Sequence, residues 1–175
     1  MDHVSVRRQT LRLNEGALDN VNPDAVWRPD VTVACIVRRG TRFLLVEEQV
    51  RGELVINQPA GHLEPGESLA EAALRETLEE SGWTVQLTGL VGIYQWTNPR
   101  HDSHFLRFTF AAEALVHDPA RPLDAGIVRT VWMTREEIAA AAARLRSPMV
   151  LRGVDDFLAG RLQPLDSLVN LLANR

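Results

Sequence analysis

One helix-forming segment constrains this chain more than any other. From Leu69 to Glu80 the sequence is rich in Ala, Leu and Glu, all good helix formers. Ser68 stands at an N-cap position with Glu71 three residues on, the spacing of a reciprocal capping box. Gly82 falls where a left-handed cap ends a helix. Glu76, Glu79 and Glu80 lie at i, i+3 and i+4, so their carboxylates share one face. Like charges at this spacing cost an exposed helix roughly 0.2–0.5 kcal/mol per pair. A solvated acidic face tolerates that cost, and a bound divalent cation removes it. Oxygen ligands without Cys or His suit Mg2+, or Mn2+, and not zinc. Arg75, next to Glu76, can orient a carboxylate through a bidentate contact.

The loop before the helix favours the cation reading. Gly61 and Gly66 free the backbone to bend or to approach an anion. Glu67 can lock the loop by accepting backbone hydrogen bonds. The stretch Gly61 to Ser68 nearly matches a phosphate-binding P-loop, but Glu67 occupies the place of the required lysine. A negative charge there excludes that reading.

Gly61, five residues, Glu67, seven residues, then Arg75-Glu76-Thr77-Leu78-Glu79-Glu80-Ser81-Gly82-Trp83 resembles the signature box of the Nudix hydrolases. The seven fixed positions of that 23-residue motif match. Thr77 and Trp83 stand where bulky aliphatic residues are usual. The resemblance implies an αβα sandwich around a mixed sheet, with the box as loop-helix-loop. It implies metal ligation by Glu76, Glu79 and Glu80 with the Gly61 carbonyl, and structural roles for Glu67, Arg75 and Gly82. It leaves the general base open. Beyond the box, Val31 to Cys35, Asn57 to Glu64, Gln95-Trp96, Phe105 to Phe108 and Arg146-Ser147-Pro148 resemble the NudJ-type phosphatases of that family. These act on hydroxymethylpyrimidine pyrophosphate and on nucleoside di- and triphosphates and release orthophosphate. This likeness implies a small-molecule phosphate substrate. ADP-ribose, a dinucleoside polyphosphate or an oxidised nucleotide stay open as substrates, as does a non-catalytic nucleotide sensor on the same fold.

The rest of the chain reads as α/β in the broad sense. Strands are expected at Val31–Val37, Arg42–Glu48, Leu54–Ile56, Trp83–Gln95, Phe105–Val116 and Ile127–Met133. A second helix is expected over Arg135–Leu145, capped by Thr134 with Glu137, and a third over Val150–Leu158. Residues 1–28 read as an extension in which Val4 to Leu13 could form a short strand or an arm on a partner subunit, residues 29–168 as the hydrolase domain and 169–175 as a tail. Monomer and homodimer both fit.

Around the box, Asn57 and Gln58 are candidate substrate contacts, as are Gln95 and Trp96 through an amide and a stacking face. Arg107 is a candidate phosphate clamp, with a surface strand residue as the alternative. Glu64, Glu113 and Asp124 are candidate extra acids, expected to be solvated or structural in preference to catalytic. The histidines form no metal pair in the sequence, and His104 reads as a loop residue.

Composition sets outer bounds. At 175 residues the chain fits one domain. A net charge of -4 argues against sequence-independent nucleic-acid binding. The N-terminus lacks an apolar signal-peptide core, and no apolar stretch is long enough to span a bilayer, so a cytoplasmic protein is expected. The single Cys35 sits in an apolar run and reads as a core residue.

Overall fold

Strand β1 (Asp30–Arg39) organises the molecule because it has partners on both edges. The computed structural model describes residues 26–172. One edge of β1 runs parallel to β6 (Ser103–His117). Its other edge pairs with β2 (Arg42–Val50) only at Arg38↔Phe43 and Arg39↔Arg42, next to the Gly40 turn. The two strands then diverge. The freed edge of β1 is taken by the short strand β4 (Ala60–His62), with Val33 opposite Gly61. Strand β3 (Glu53–Asn57) pairs antiparallel with β2. Strand β7 (Ile127–Thr134) also pairs with β2, and β5 (Trp83–Asn98) pairs with β6. The mixed sheet is therefore split at β1 and β2, and the split opens toward β4.

Alternate side chains of β1 feed two cores, as the two-residue period of a strand requires. Val33, Cys35 and Val37 pack with Leu44, Phe110 and the alanines Ala72 and Ala73 of α1 (Leu69–Ser81). Ile36 packs with Phe43, Leu45 and Ile56, and with Ile138, Val150 and Val154 from α2 (Arg135–Ala140) and α3 (Met149–Leu158). Helices on both faces give the expected αβα layering. Each large core side chain contributes about 1.5–3 kcal/mol by leaving water.

Small residues on the buried side of α1 let it lie close to the sheet. Thr77, where a bulky aliphatic is usual, is fully buried and donates its hydroxyl to Ala73 O at 2.7 Å. Trp83 stacks on His117 at 4.7 Å and meets Trp132 edge-on at 5.7 Å, which accounts for an aromatic at that place. Cys35 is buried and its thiol is pushed up to about 12, chiefly by burial.

Three boundaries differ from the sequence reading. The glycine loop contains β4, because β1 offers its residues an unpaired edge. Helix α2 stops at Ala140 and does not reach Leu145. A 3-10 turn follows at Ala142–Arg144, then Leu145 bridges to Ile56 and Arg146 N–H donates to Ile56 O at 2.8 Å. That pairing beside β3 overrides the helix propensity of the alanine run. The β5–β6 hairpin is longer than its apolar core, reaching Asn98 and Ser103. The proposed arm at Val4 to Leu13 and residues 173–175 lie outside the described residues. Among the described residues no helix is long and apolar enough to cross a membrane.

Candidate active site

Helix α1 carries its glutamates to the split in the sheet, and its caps fix where they arrive. The capping box forms as expected: Glu71 N–H donates to Ser68 Oγ at 3.2 Å, and Ser68 N–H to Glu71 Oε2 at 2.8 Å. Gly82 adopts φ 69°, and its N–H closes the last turn on Leu78 O at 2.9 Å.

Arg75 is the hub of the box. It donates to both oxygens of Glu67, at 3.0 and 2.7 Å, and to the backbone carbonyl of His62 at 3.1 Å. Its remaining arm donates to Glu76 at 2.7 Å and to Glu79 at 3.0 Å. Glu67 also accepts the Glu64 N–H at 2.7 Å, so it locks the loop. The Arg75 contact, above all, holds the Glu67 carboxyl below its ordinary range. One guanidinium thus ties loop, β4 and the first two acids together.

Spacing placed three glutamates on one face, and the structure divides them. Carboxylate oxygens of Glu76, Glu79 and Asp124 lie within 4.8 Å of one another. Asp124 comes from the β6–β7 loop, which is pinned to α1 by Asp124 N–H donating to Glu79 O at 3.1 Å. Asp124, a candidate extra acid in the sequence, thus stands with Glu76 and Glu79. Glu80 turns aside and accepts the Ala60 N–H at 2.7 Å. Burial first, then the charges of Glu48, Glu76 and Asp124, push Glu80 up to about 8 against that hydrogen bond. Burial also raises Glu76, with Arg75 opposing it. Three convergent acids, one of them buried, form a hard oxygen donor set of the type that suits Mg2+ or Mn2+. Among the described residues this group includes no histidine.

A line of charged side chains leads away from the acids. Arg107 is buried, which excludes the surface-residue alternative. Its guanidinium lies near Thr32 Oγ1 at 3.4 Å and Asn57 Oδ1 at 3.5 Å, and feels the charges of Glu48, Glu80 and Arg146. Arg146 Nε stands 3.6 Å from Glu48 Oε1. Arg146 in turn lines a cleft of about 1230 Å³ between β3, the β5–β6 hairpin and the start of α3.

Trp96 and Phe105 stack at 5.6 Å and 21° in the cleft wall, and Arg51 and Arg100 add positive charge at its rim. Gln95 is exposed and lines a separate depression of about 460 Å³. Gln58 corrects the sequence reading: it is buried, and its amide donates to Val150 O at 2.8 Å, holding α3 instead of facing a substrate.

Known proteins resemble this chain over most of its length. A NUDIX domain matches residues 28–152. The chain is 41% identical over 143 residues to "Phosphatase NudJ" of Escherichia coli strain K12, covering 82% of this chain and 92% of that protein. A solved NUDIX hydrolase from Nitrosomonas europaea superposes with a TM-score of 0.82 at 44% identity, over 84% of this chain and all of that one (100%). The structure of a UDP-X diphosphatase superposes at 0.63 with 18% identity, over 82% of this chain and 70% of that one, a likeness of fold alone.

Proposed function

This chain belongs to the Nudix hydrolase family, and from that premise we propose that it hydrolyses a phosphoanhydride bond in a small organic di- or triphosphate and releases orthophosphate. Hydroxymethylpyrimidine pyrophosphate and nucleoside di- and triphosphates are its substrates on this reading, and the cytoplasm its place of action. The convergence of Glu76, Glu79 and Asp124 beside Gly61 carries the proposal.

These three acids, with Glu80 behind them and the Gly61 carbonyl alongside, would hold Mg2+ or Mn2+. When bound, the cation neutralises phosphoryl oxygens and acidifies water. Arg75 keeps Glu76 and Glu79 aimed through its hydrogen bonds to both carboxylates. Arg107, buried between Glu80 and Glu48, supplies fixed positive charge behind the site and an anchor for a phosphate at its inner end. Trp96 and Phe105 offer the stacking wall for a heterocycle. Positioning and preorganised charge supply most of the rate in such phosphoryl transfer.

The test is product analysis with hydroxymethylpyrimidine pyrophosphate, GTP, GDP, ADP-ribose and diadenosine polyphosphates, with Mg2+ and with EDTA. Cation-dependent orthophosphate from the pyrimidine diphosphate and the nucleotides is the expected result. Pyrophosphate or AMP as the product would keep the hydrolase and discard orthophosphate release.

A further inference from the structure

The tips of two hairpins meet at the mouth of the cleft. Arg51, in the β2–β3 turn, lies against His101 in the β5–β6 loop, with one terminal nitrogen 2.8 Å from the ring's Nδ1 and 2.6 Å from its Nε2. Both residues line the cleft. Four of the other lining residues are arginines, and each faces a carboxylate: Arg100 with Glu53 at 3.7 Å, Arg144 with Glu47 at 2.6 Å, Arg146 with Glu48 at 3.6 Å and Arg152 with Asp156 at 2.8 Å. Among the described residues Arg51 has no carboxylate partner, and its guanidinium bonds only His101. The backbone at Arg51 is costly as well. Arg51 and Gly52 make a two-residue turn between the paired Val50 and Glu53, with φ of 50° and 88°. Turns with both central φ positive favour Asn or Asp before Gly. An arginine held there is strained, and strained residues of this kind gather at ligand clamps.

We propose that Arg51 determines specificity at the outer end of the cleft, where it binds an oxyanion on the uncut part of a substrate that is anionic at both ends. This rests on the reading of the cleft as the substrate pocket. Strand β3 leads from the Arg51 turn to Asn57, whose Oδ1 is 3.5 Å from Arg107. Along those five residues the strand covers roughly 14 Å. On that reading the phosphoanhydride sits at the inner end, so a group at Arg51 belongs to the part that is not cut. The cleft, at about 1230 Å³, exceeds the roughly 300–1,000 Å³ usual for a small-molecule site and has room for such an extension. The stack of Trp96 and Phe105 lies in the same wall to hold a ring. A guanidinium fork matches two oxygens of a carboxylate or a phosphate. The His101 imidazole carries no negative charge, so an arriving oxyanion displaces it with a net gain.

The experiment uses the full chain as wild type, Arg51→Asn and Arg51→Lys. The probes are three ATP derivatives with an alkyl chain on the adenine amino group, ending in an ammonium, a carboxylate or a phosphate monoester. Kd is measured calorimetrically in EDTA, and KM and kcat with Mg2+. The wild type is expected to prefer an oxyanion-ended probe over the ammonium-ended one by about fivefold or more, in Kd and in KM. Whichever oxyanion gains more is the one that the site takes. Arg51→Asn is expected to bring the preference within about twofold while Tm holds or rises, because Asn suits the turn. Arg51→Lys, which keeps the charge and loses the fork, is expected to retain part of the preference. A wild type without preference for either oxyanion overturns the proposal, as does a preference that survives Arg51→Asn or a loss confined to kcat. Hydrolysis of all three probes alike would overturn the role of Arg51 and leave the hydrolase standing. A preference erased by Arg51→Asn in a protein that hydrolyses nothing would uphold Arg51 and refute the hydrolase.

Discussion

The carboxyl of Glu76 lies over Gly61 so closely that a β-carbon added at Gly61 would stand 2.1 Å from it. No side chain fits there unless Glu76 moves. Gly61 lies in β4, and pairing with Val33 holds its backbone in place. Gly61→Ala is therefore expected to push Glu76 off Asp124 and Glu79 and to cut cation-dependent turnover by about 100-fold or more. Activity within a few-fold of wild type would show that Glu76 does not need its present position.

Arg75→Lys keeps the charge and loses the fork. Lysine cannot bond Glu67 bidentately while also reaching His62 O, Glu76 and Glu79. The expected cost is about 1–2 kcal/mol of stability, with a larger fractional loss in cation affinity because the acids lose their common anchor. Denaturant unfolding and Mg2+ titration of the same variant check both parts. Unchanged cation affinity would mean that Arg75 serves only the loop.

Glu80 contributes to the pH behaviour of the cation-free chain. Its carboxyl is pushed up to about 8 from 4.5, mainly by burial. Between these values the folded chain keeps a proton that the unfolded chain has lost. Stability from this group is thus fully present below 4.5 and is lost as pH rises through about 8. A divalent cation competes with that proton. In EDTA, Tm is expected to fall from about pH 5 to about pH 9 relative to Glu80→Gln, and Mg2+ to raise Tm more at the alkaline end. Thermal melts of both proteins check this, and a Mg2+ effect independent of pH contradicts it.

Trp96→Ala removes the stacking wall but leaves the acids alone. Stacking of a base on an aromatic ring is worth about 1–3 kcal/mol. KM for GTP is expected to rise about tenfold or more with kcat little changed. A fall in kcat alone would place Trp96 in the packing of the hairpin.

What the sequence disclosed is local. The capping box of Ser68 and Glu71, the stop at Gly82 and the i, i+3, i+4 glutamates depend on residues within a few turns, so spacing reveals them. The αβα layering follows from strand runs that bury both faces of β1. What stayed hidden depends on distant partners. Asp124 joins Glu79 only because the β6–β7 loop folds back onto α1. The strand at Ala60–His62 exists because β2 leaves the edge of β1, which no local pattern shows. Gln58 looks like a substrate ligand until α3 supplies Val150 O for its amide. Helix α2 loses its last turn to a pairing with Ile56 that alanine propensity does not foresee.

On the proposed function, a divalent cation held by the acids of α1 and by Asp124 drives phosphoanhydride hydrolysis. The most direct test is orthophosphate release from hydroxymethylpyrimidine pyrophosphate as a function of Mg2+, in wild type and in Glu79→Gln. Cation assistance is worth several kcal/mol, about 1000-fold in rate. Release is therefore expected to saturate with Mg2+, to vanish in EDTA, and to drop by about that factor in a folded Glu79→Gln protein. Release that persists in EDTA, or near-normal turnover by Glu79→Gln, would contradict it.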